Sequence, residues 1–391
     1  MKKNFLSIHE PVFIGNEKKY LKDCINDGWV STSGKYIDSF EKKLEKFTNT
    51  KFVVCLNSCT SALHLSLKLL NISANDEIIV PSITFVSPIN SVLYNSSYPV
   101  FMDCDKFCNI DVDKTINFLK SQTITKTKNG SDFTINKVSK RIVAAIIIVH
   151  TFGNSANIYE LVKICRDKNI KIIEDAAEGL GSYNVYKKRK YHLGTIGDLG
   201  CVSFNGNKIV TSGGGGAILT NNKLLFNKAK HISNQSKSNQ IYSKHNMVGY
   251  NYRINNIQAA LGLAQIENIN FFIKNKKLIN EKYKYYINRI NKFSIMNSPH
   301  YSISNNWINI LELNVKKLKI NKIFKIFSKK NIQTRSIWYP NHLHPYLKKF
   351  QSYHIDNAMR VFQSKICLPS SSNLKISDIK KISEILKKIS T

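Results

Sequence analysis

The fold is indicated most clearly by one stretch, Val202-Ser203-Phe204-Asn205-Gly206-Asn207-Lys208, which is followed by Thr211 and by four consecutive glycines at 213–216. A short apolar run leads here into a polar turn with a lysine, and the glycines lead into another apolar run. Similar runs recur from about residue 50 to 220: Phe52–Leu56, Glu77–Val80, Val100–Met102, Ile142–Val149, Lys171–Ile173 and Ala217–Thr220. Between them, Ser61–Leu70 and Ile158–Lys168 carry apolar residues at helical spacing. This alternation predicts an α/β fold with a mostly parallel central sheet whose strands are buried on both faces by helices.

The pattern changes after about residue 255, where longer amphipathic helices begin. Shorter strand-like pieces follow around Asn309–Leu313 and Ile366–Leu368. We therefore expect a large domain over residues 15–265 and a smaller α+β C-terminal domain over residues 266–391. Residues 1–14 are expected to pack nearby.

Composition excludes some classes of protein. Apolar residues make up 42% of the 391 residues, which is enough for a buried core. The longest uninterrupted apolar run, Ile142–Val149, is far shorter than the roughly 20 residues that cross a bilayer. The first ten residues contain no secretory apolar segment, so we expect a soluble cytoplasmic protein without a membrane span. The eight cysteines form no Cys-x-x-Cys pair, which predicts reduced, buried thiols and no metal site.

The formal net charge of +32 admits three interpretations: a nucleic-acid partner, an anionic membrane surface or a phosphorylated substrate. The basic residues are spread along the chain, although they are denser around Tyr186–Lys190 and towards the C-terminus. Lys, Asn and Ile are all over-used, which favours a compositional drift of the whole protein together with a diphosphate substrate. A separate polyanion-binding role stays open, and no nucleic-acid partner is expected.

Four features follow predicted strands, where ligands of open α/β sheets bind. They are Glu174–Gly179, Ser203–Lys208, Asn57–Ser61 and Ser82–Phe85. Each has an ordinary structural explanation, because such residues are common as surface charges, helix caps and turns, and the glycine run could be only a flexible turn. The run is not a P-loop, because no Gly-Lys-Ser/Thr follows it.

Together these residues meet the requirements of an enzyme that uses pyridoxal phosphate (PLP). A lysine, here Lys208, must bind the cofactor aldehyde as a Schiff base and later move protons. A carboxylate, here Asp175, must keep the pyridine nitrogen protonated. The phosphate needs hydroxyls and the N–H groups of a helix start, which Thr60 and its neighbours supply. An aromatic side chain such as Phe85 can stack on the ring.

The chain resembles the DegT/DnrJ/EryC1/StrS family of PLP-dependent nucleotide-sugar aminotransferases, which have the fold-type I aspartate-aminotransferase fold. The resemblance spans nearly the whole chain, and its most specific part is the five-residue spacing from Ser203 to Lys208 before a glycine-rich strand. The other matching segments are 27–35, 40–41, 57–64, 81–86, 174–182, 197–198, 249–253, 258–262, 334–338 and 367–370.

The resemblance implies roles for individual residues. Lys208 matches the Schiff-base lysine and Asp175 matches the partner of the pyridine nitrogen. The other implied cofactor residues are Cys59, Thr60 and Ser203 at the phosphate, Phe85 on the ring, Glu178 near the cofactor, and Asn251, which such enzymes lend to the neighbour's phosphate across a homodimer interface. The implied substrate residues, near the sugar or its diphosphate, are Trp29, Ser31, Arg335 and His342.

Two residues depart from the family pattern. Glu178 stands where many relatives carry His or Gln, and Cys59 stands where Gly or Ala is usual. A related branch that dehydrates sugars replaces the lysine with His, so the presence of Lys208 argues against dehydration.

The amino-acid sequence of residues 203–216 most resembles that of the branch that acts on UDP-4-keto-6-deoxy-N-acetylhexosamines in bacillosamine and legionaminic-acid pathways. The resemblance implies a ping-pong transfer for bacterial glycan biosynthesis, with glutamate as the expected amino donor and PLP alternating with pyridoxamine phosphate. Perosamine-type enzymes, which use a GDP-linked sugar, tend to carry Glu within the glycine run, and this chain does not. A GDP-linked or 3-keto sugar remains the first alternative, and a non-catalytic PLP- or polyanion-binding protein is the remote one.

Overall fold

The computed structural model describes residues 5–128, 130–239, 241–314 and 320–390. Strands and helices alternate from residue 52 to 175, as predicted, apart from a hairpin at 123–136; the strands from 183 to 220 follow one another without the predicted helices. The helices are α1 Glu17–Asn26, α2 Lys35–Thr48, α3 Cys59–Leu69, α4 Ser87–Tyr94, α5 Val112–Ser121, α6 Ile158–Asp167, α7 Lys223–Ser233, α8 Asn256–Glu267, α9 Ile269–Ile287, α10 Ile320–Lys329, α11 Ala358–Ser364 and α12 Ile376–Ser390. The strands are β1 Phe52–Leu56, β2 Glu77–Pro81, β3 Tyr98–Met102, β4 Thr123–Lys128, β5 Ser131–Asn136, β6 Val143–Val149, β7 Lys171–Asp175, β8 Tyr183–Tyr186, β9 Arg189–His192, β10 Leu199–Ser203, β11 Gly216–Thr220, β12 Lys237–Asn239, β13 Lys244–His245, β14 Phe293–Ile295, β15 Ser302–Ile303, β16 Asn309–Leu313, β17 Arg335–Ser336, β18 Ser352–Tyr353 and β19 Lys365–Leu368.

The central sheet has the strand order β1-β11-β10-β7-β6-β2-β3-β18. All neighbouring pairs are parallel except the two made by β11, which runs antiparallel to β1 and β10. Helices cover both faces of the sheet, and alternate residues of β1 therefore pack into two different cores. Leu56 packs with Leu63 of α3 in one core, and Val53 packs with Phe40 of α2 in the other. The predicted α/β fold with a mostly parallel sheet is confirmed.

The C-terminal part has its own antiparallel sheet, in the order β14-β16-β19-β17. Its core includes Tyr283 of α9, Phe327 of α10 and Leu386 of α12. Two connections lead back to other parts of the chain. Strand β18 adds to the edge of the large sheet beside β3, and near the N-terminus the carbonyl of Ile8 accepts a hydrogen bond from the Ser370 amide (2.7 Å).

Several strands of the large sheet end at one edge because they run in parallel. The carboxyl ends of β1, β2, β6, β7 and β10 therefore bring together the polar residues that follow them. This edge faces residues of the C-terminal part, and the cavity described below lies between the two.

The basic run at 186–190 forms the turn of the β8–β9 hairpin, and its side chains are exposed. Lys187 and Lys188 both adopt positive φ (47° and 64°). Asn or Gly usually occupies such turns, so the residue types do not predict this conformation. All eight cysteines are buried and free, in agreement with the sequence. Across the described ranges there is no helix long and apolar enough to cross a membrane, and no cluster of side chains suited to a metal ion.

Candidate active site

A cavity of about 390 Å³ lies at the carboxyl edge of the large sheet. Eight of the predicted site residues line it: Cys59, Thr60, Phe85, Asp175, Glu178, Ser203, Lys208 and Arg335. Residues far apart in the sequence, such as Ile8, Trp307 and Trp338, close its other side. The structure thus joins the predicted strand-end residues in one site.

Lys208 enters the cavity from the turn that follows β10. Its backbone N–H donates to the Asn205 carbonyl (2.9 Å), which fixes the turn. Its Nζ donates to Glu178 Oε1 at 3.2 Å and lies 4.1 Å from the centroid of the Trp307 indole. The side chain is only 12% exposed, so the amine is held inside the cavity.

Asp175 is the last residue of β7 and is buried. Its Oδ1 accepts a hydrogen bond from the Ala177 amide (2.9 Å). Burial raises the pKa of Asp175, although the Ala177 amide and the positive charge of Lys208 oppose that rise. A buried carboxylate of this kind gains from a cationic partner, so it is suited to hold a protonated ring nitrogen.

The acid beside it, Glu174, is fully buried and has a structural role. Its carboxylate accepts hydrogen bonds from the backbone N–H groups of Gly194, Ile196 and Gly197, and one oxygen lies 2.8 Å from His150 Nε2. Burial alone would raise the pKa of Glu174, but these donors outweigh it and lower the pKa. Glu174 therefore fixes the loop at 194–197 and leaves Asp175 to face the cavity.

Glu178 holds Lys208 from one side of the cavity. Its Oε2 accepts a hydrogen bond from the Phe152 amide (2.7 Å), and its Oε1 pairs with Lys208 Nζ. Burial raises the pKa of Glu178, and the charge of Lys208 opposes the rise. This carboxylate is thus oriented by the backbone of the loop after β6.

The start of α3 forms a polar rim of the cavity. Ser58 caps the helix by accepting a hydrogen bond from the Ser61 amide (3.0 Å), and Cys59 is the first helical residue. The Thr60 hydroxyl donates to Ser87 Oγ (2.9 Å). The N–H groups of a helix's first turn favour an anion, so this rim suits a phosphate. Burial raises the pKa of the Cys59 thiol well above its usual value, which keeps the thiol neutral beside an anion.

The glycine run allows this helix start to approach the sheet. A Cβ on Gly216 would lie 2.4 Å from the Cys59 nitrogen, and Gly215 has a φ of +119°. Residues with side chains would therefore push α3 away from β11. The run is thus a close-packing element, where the sequence also allowed a flexible turn.

Four predicted site residues do not line the cavity: Trp29, Ser31, Asn251 and His342. His342 lies behind the β2 exit, where its Nδ1 is 2.7 Å from Ser82 Oγ, and burial lowers its pKa. Trp29 is 58% exposed, and Ser31 and Asn251 are also exposed. Their assigned roles remain predictions.

The cavity residues that were not identified from the sequence include His150, Phe152 and Trp307. His150 and Phe152 follow β6, so the same strand-exit argument could have found them. The Phe152 ring stacks on Trp338 with centroids 4.5 Å apart and forms an aromatic wall. Trp307 follows no apolar run, and nothing local in the sequence indicates its place.

The cavity fits PLP by its polar groups. It offers an amine for the aldehyde, a buried carboxylate for the ring nitrogen and a helix start for the phosphate. Two buried polar atoms that line it, Thr84 Oγ1 and Asn207 Oδ1, have no hydrogen-bond partner among the described residues. Buried polar atoms are rarely left without a partner, so they indicate a polar ligand in this space.

Comparisons with known proteins identify the family of the whole chain. The sequence model of the DegT/DnrJ/EryC1/StrS aminotransferase family matches residues 13–387. The chain is 31% identical to GDP-perosamine synthase of Escherichia coli O157:H7 over 353 residues, which is 90% of each chain. It is 27% identical to UDP-4-amino-4,6-dideoxy-N-acetyl-beta-L-altrosamine transaminase of Campylobacter jejuni over 361 residues, 91% of this chain and 90% of that one. Spr1654 of Streptococcus pneumoniae, described as a sugar aminotransferase and solved in its PLP form, has the same fold, with a TM-score of 0.85 at 22% identity and coverage of 99% and 98%. The chain belongs to the DegT/DnrJ/EryC1/StrS aminotransferase family and is a PLP-dependent aminotransferase of nucleotide sugars.

Proposed function

We propose that this enzyme moves an amino group from glutamate to UDP-4-keto-6-deoxy-N-acetylglucosamine, with Lys208 as the catalytic residue. The observation that carries the site assignment is the meeting of Lys208, Asp175 and the α3 start in one cavity. When bound there, PLP would supply an electron sink for the carbon that loses or gains a proton.

The chain's own residues divide the remaining work. Lys208 Nζ moves the proton between the reacting carbons, because it is a basic group inside the cavity and an acceptor, Glu178, positions it. Asp175 would hold the ring nitrogen in its protonated form. Thr60, Ser203 and the first amides of α3 would bind the phosphate, and Phe85 would stack on the ring. The walls made by Phe152 and Trp338 exclude water from the reacting atoms.

Two observations support UDP as the nucleotide of the substrate: the sequence of the glycine run at 213–216 and the similarity to the UDP-sugar transaminase of Campylobacter jejuni. Arg335 lines the cavity and is exposed, so its guanidinium is available to a diphosphate that enters from solvent. Trp29, Ser31 and His342 complete the proposed substrate set. A GDP-linked 4-keto sugar is the second candidate, and the higher identity to GDP-perosamine synthase favours it.

The proposed assembly is a homodimer in which Asn251 serves the partner's site. Asn251 follows a segment that exposes large apolar side chains: Ile241 is 85% exposed, Tyr242 72% and Val248 81%. Exposed apolar residues concentrated in one segment are typical of an interaction surface.

Absorbance spectroscopy of the PLP-loaded protein tests the function. Glutamate should remove the visible band of the lysine-bound cofactor, and the correct keto-sugar should restore it. Lys208→Ala should do neither. Restoration by the UDP sugar supports the proposal, and restoration by the GDP sugar alone transfers the assignment to the second candidate. A wild-type protein that never responds to glutamate would refute the aminotransferase mechanism.

Light scattering and complementation test the dimer. Val248→Asp should shift the protein to monomers and weaken PLP binding. A mixture of Lys208→Ala and Asn251→Ala chains should regain activity that neither homodimer has, because one site of each mixed dimer is intact. An active monomer would contradict shared sites.

A further inference from the structure

Trp307 is a buried indole whose polar groups are all bonded; its side chain and backbone together are 3% exposed. Its Nε1–H donates to the Asn207 carbonyl at 2.7 Å. Its backbone N–H donates to Asn305 Oδ1 at 2.9 Å, and its carbonyl accepts from Lys276 Nζ at 2.9 Å. The ring is therefore tied to the residue that precedes Lys208, and the Trp307 backbone is tied to two buried side chains.

The face of this ring contacts the catalytic amine. Lys208 Nζ lies 4.1 Å from the indole centroid and 3.2 Å from Glu178 Oε1. An ammonium is attracted by the negative face of an aromatic ring, most strongly by Trp. Two groups thus hold the free amine, and one of them is the indole.

Asn305 links those two groups. Its Nδ2 donates to the carbonyls of Glu178 (2.8 Å) and Leu180 (2.9 Å), while its Oδ1 accepts from the Trp307 amide. One buried amide therefore connects the segment that carries the carboxylate with the segment that carries the indole. This connection limits how far apart the two can move.

Lys276 supports the other side of the indole segment. It lies on α9, is fully buried, and donates to the carbonyls of Trp307 and Ser370 (2.7 Å). Burial of a lysine is costly, and here it lowers the pKa to about 7. Lys276 joins the segments of Trp307 and Ser370 behind the cavity wall in spite of this cost, so we assign it a role in positioning them.

We propose that Trp307 is a positioning residue for Lys208, whose free amine it holds against Glu178, and that Lys276 and Asn305 hold the indole in place. The inference rests on the proposed function, since it takes Lys208 as the catalytic residue. It adds that the lysine returns to one position each time its amine is released, so the next proton transfer starts from the same geometry.

Chemical labelling of the cofactor-free protein tests the contact directly. Limiting acetic anhydride, followed by peptide mass spectrometry, gives the acetylation of Lys208 relative to Lys188, an exposed lysine in the β8–β9 turn. Trp307→Leu should raise this ratio roughly 2- to 30-fold, the range of a cation–π contact. Trp307→Phe keeps a ring face and should lie closer to wild type. Trp338→Leu opens the cavity wall but leaves the contact with Lys208 in place, so it measures the effect of access alone and should raise the ratio less than Trp307→Leu does.

Single-turnover reaction with glutamate separates positioning from binding. Trp307→Leu should lower the maximal rate by a factor in the same range, while the half-saturating glutamate concentration changes less than about twofold. Lys276→Met should also lower the maximal rate, although the indole is still present in this variant. Circular dichroism checks that each variant folds.

Equal labelling in wild type and Trp307→Leu, or equal rates in the Phe and Leu variants, would overturn the inference. The Lys208→Ala control separates this failure from that of the proposed function. If Lys208→Ala still cycles, the catalytic assignment is wrong; if it is inactive while Trp307→Leu behaves as wild type, only the positioning role is wrong.

Discussion

Replacement of Lys276 by methionine should change how the stability of the protein depends on pH. Lys276 is buried, donates to two backbone carbonyls, and has a pKa that burial lowers from 10.5 to about 7. Between about pH 7 and pH 10 the unfolded chain keeps the proton that the folded chain releases. The unfolded state then binds more protons, so the contribution of Lys276 to the free energy of unfolding rises with pH in this window.

The size of the effect follows from these two pKa values. Protonated Lys276 costs the folded state on the order of 4 kcal/mol at pH 7, and a rise to about pH 9 removes about 2 kcal/mol of that cost. Unfolding entropy of about 2 cal/mol/K per residue over 391 residues converts this to a melting-temperature change of about 2–3 °C. His9 lies near Lys276, but its pKa is well below 6.5, so it does not titrate in this window.

The measurement is the melting temperature of wild type minus that of Lys276→Met, at about pH 7 and about pH 9. We expect this difference to increase with pH by about 2–3 °C. Lys277→Met is the matched control, because Lys277 is the next residue of α9 and is exposed; its difference from wild type should not change. A wild-type advantage over Lys276→Met that stays constant or shrinks with pH would refute the reasoning.

Three further predictions concern the cavity. Asp175→Asn should lower kcat roughly 10²-fold or more while the protein still binds PLP, because the ring nitrogen loses its charged partner; steady-state kinetics and a PLP titration check both parts. Glu178→Gln should remove the acid limb of the rate–pH profile, since burial raises the Glu178 pKa and protonation as pH falls ends its hold on Lys208; an unchanged limb would exclude Glu178 as its source. Thr60→Ala should weaken PLP binding roughly 10- to 100-fold, the range of one hydrogen bond to a charged group, measured by absorbance titration, and normal binding would remove Thr60 from the phosphate site.

Several local features could be predicted because they depend on short stretches of sequence. The strands Phe52–Leu56 and Asn309–Leu313 have the bounds that their apolar runs suggest. Asp175, Ser203 and the α3 start lie at strand exits, and parallel strands bring their exits to one edge. The resemblance supplied the roles of these residues, and the cavity brings eight of the predicted set together.

Other features depend on contacts between distant residues. Lysines on an amphipathic helix are expected in solvent, yet Lys276 is buried because two carbonyls of other segments meet its amine. Trp307 reaches Lys208 across about 100 positions of sequence, and the antiparallel direction of β11 depends on its pairing with β1 and β10. By itself, the sequence determined the alternating elements, the family and the strand-end residues, since these depend on local pattern. Only the tertiary structure decided what surrounds the catalytic amine, because contacts between distant residues select those neighbours. The periodicity of the sequence carries no information about such contacts.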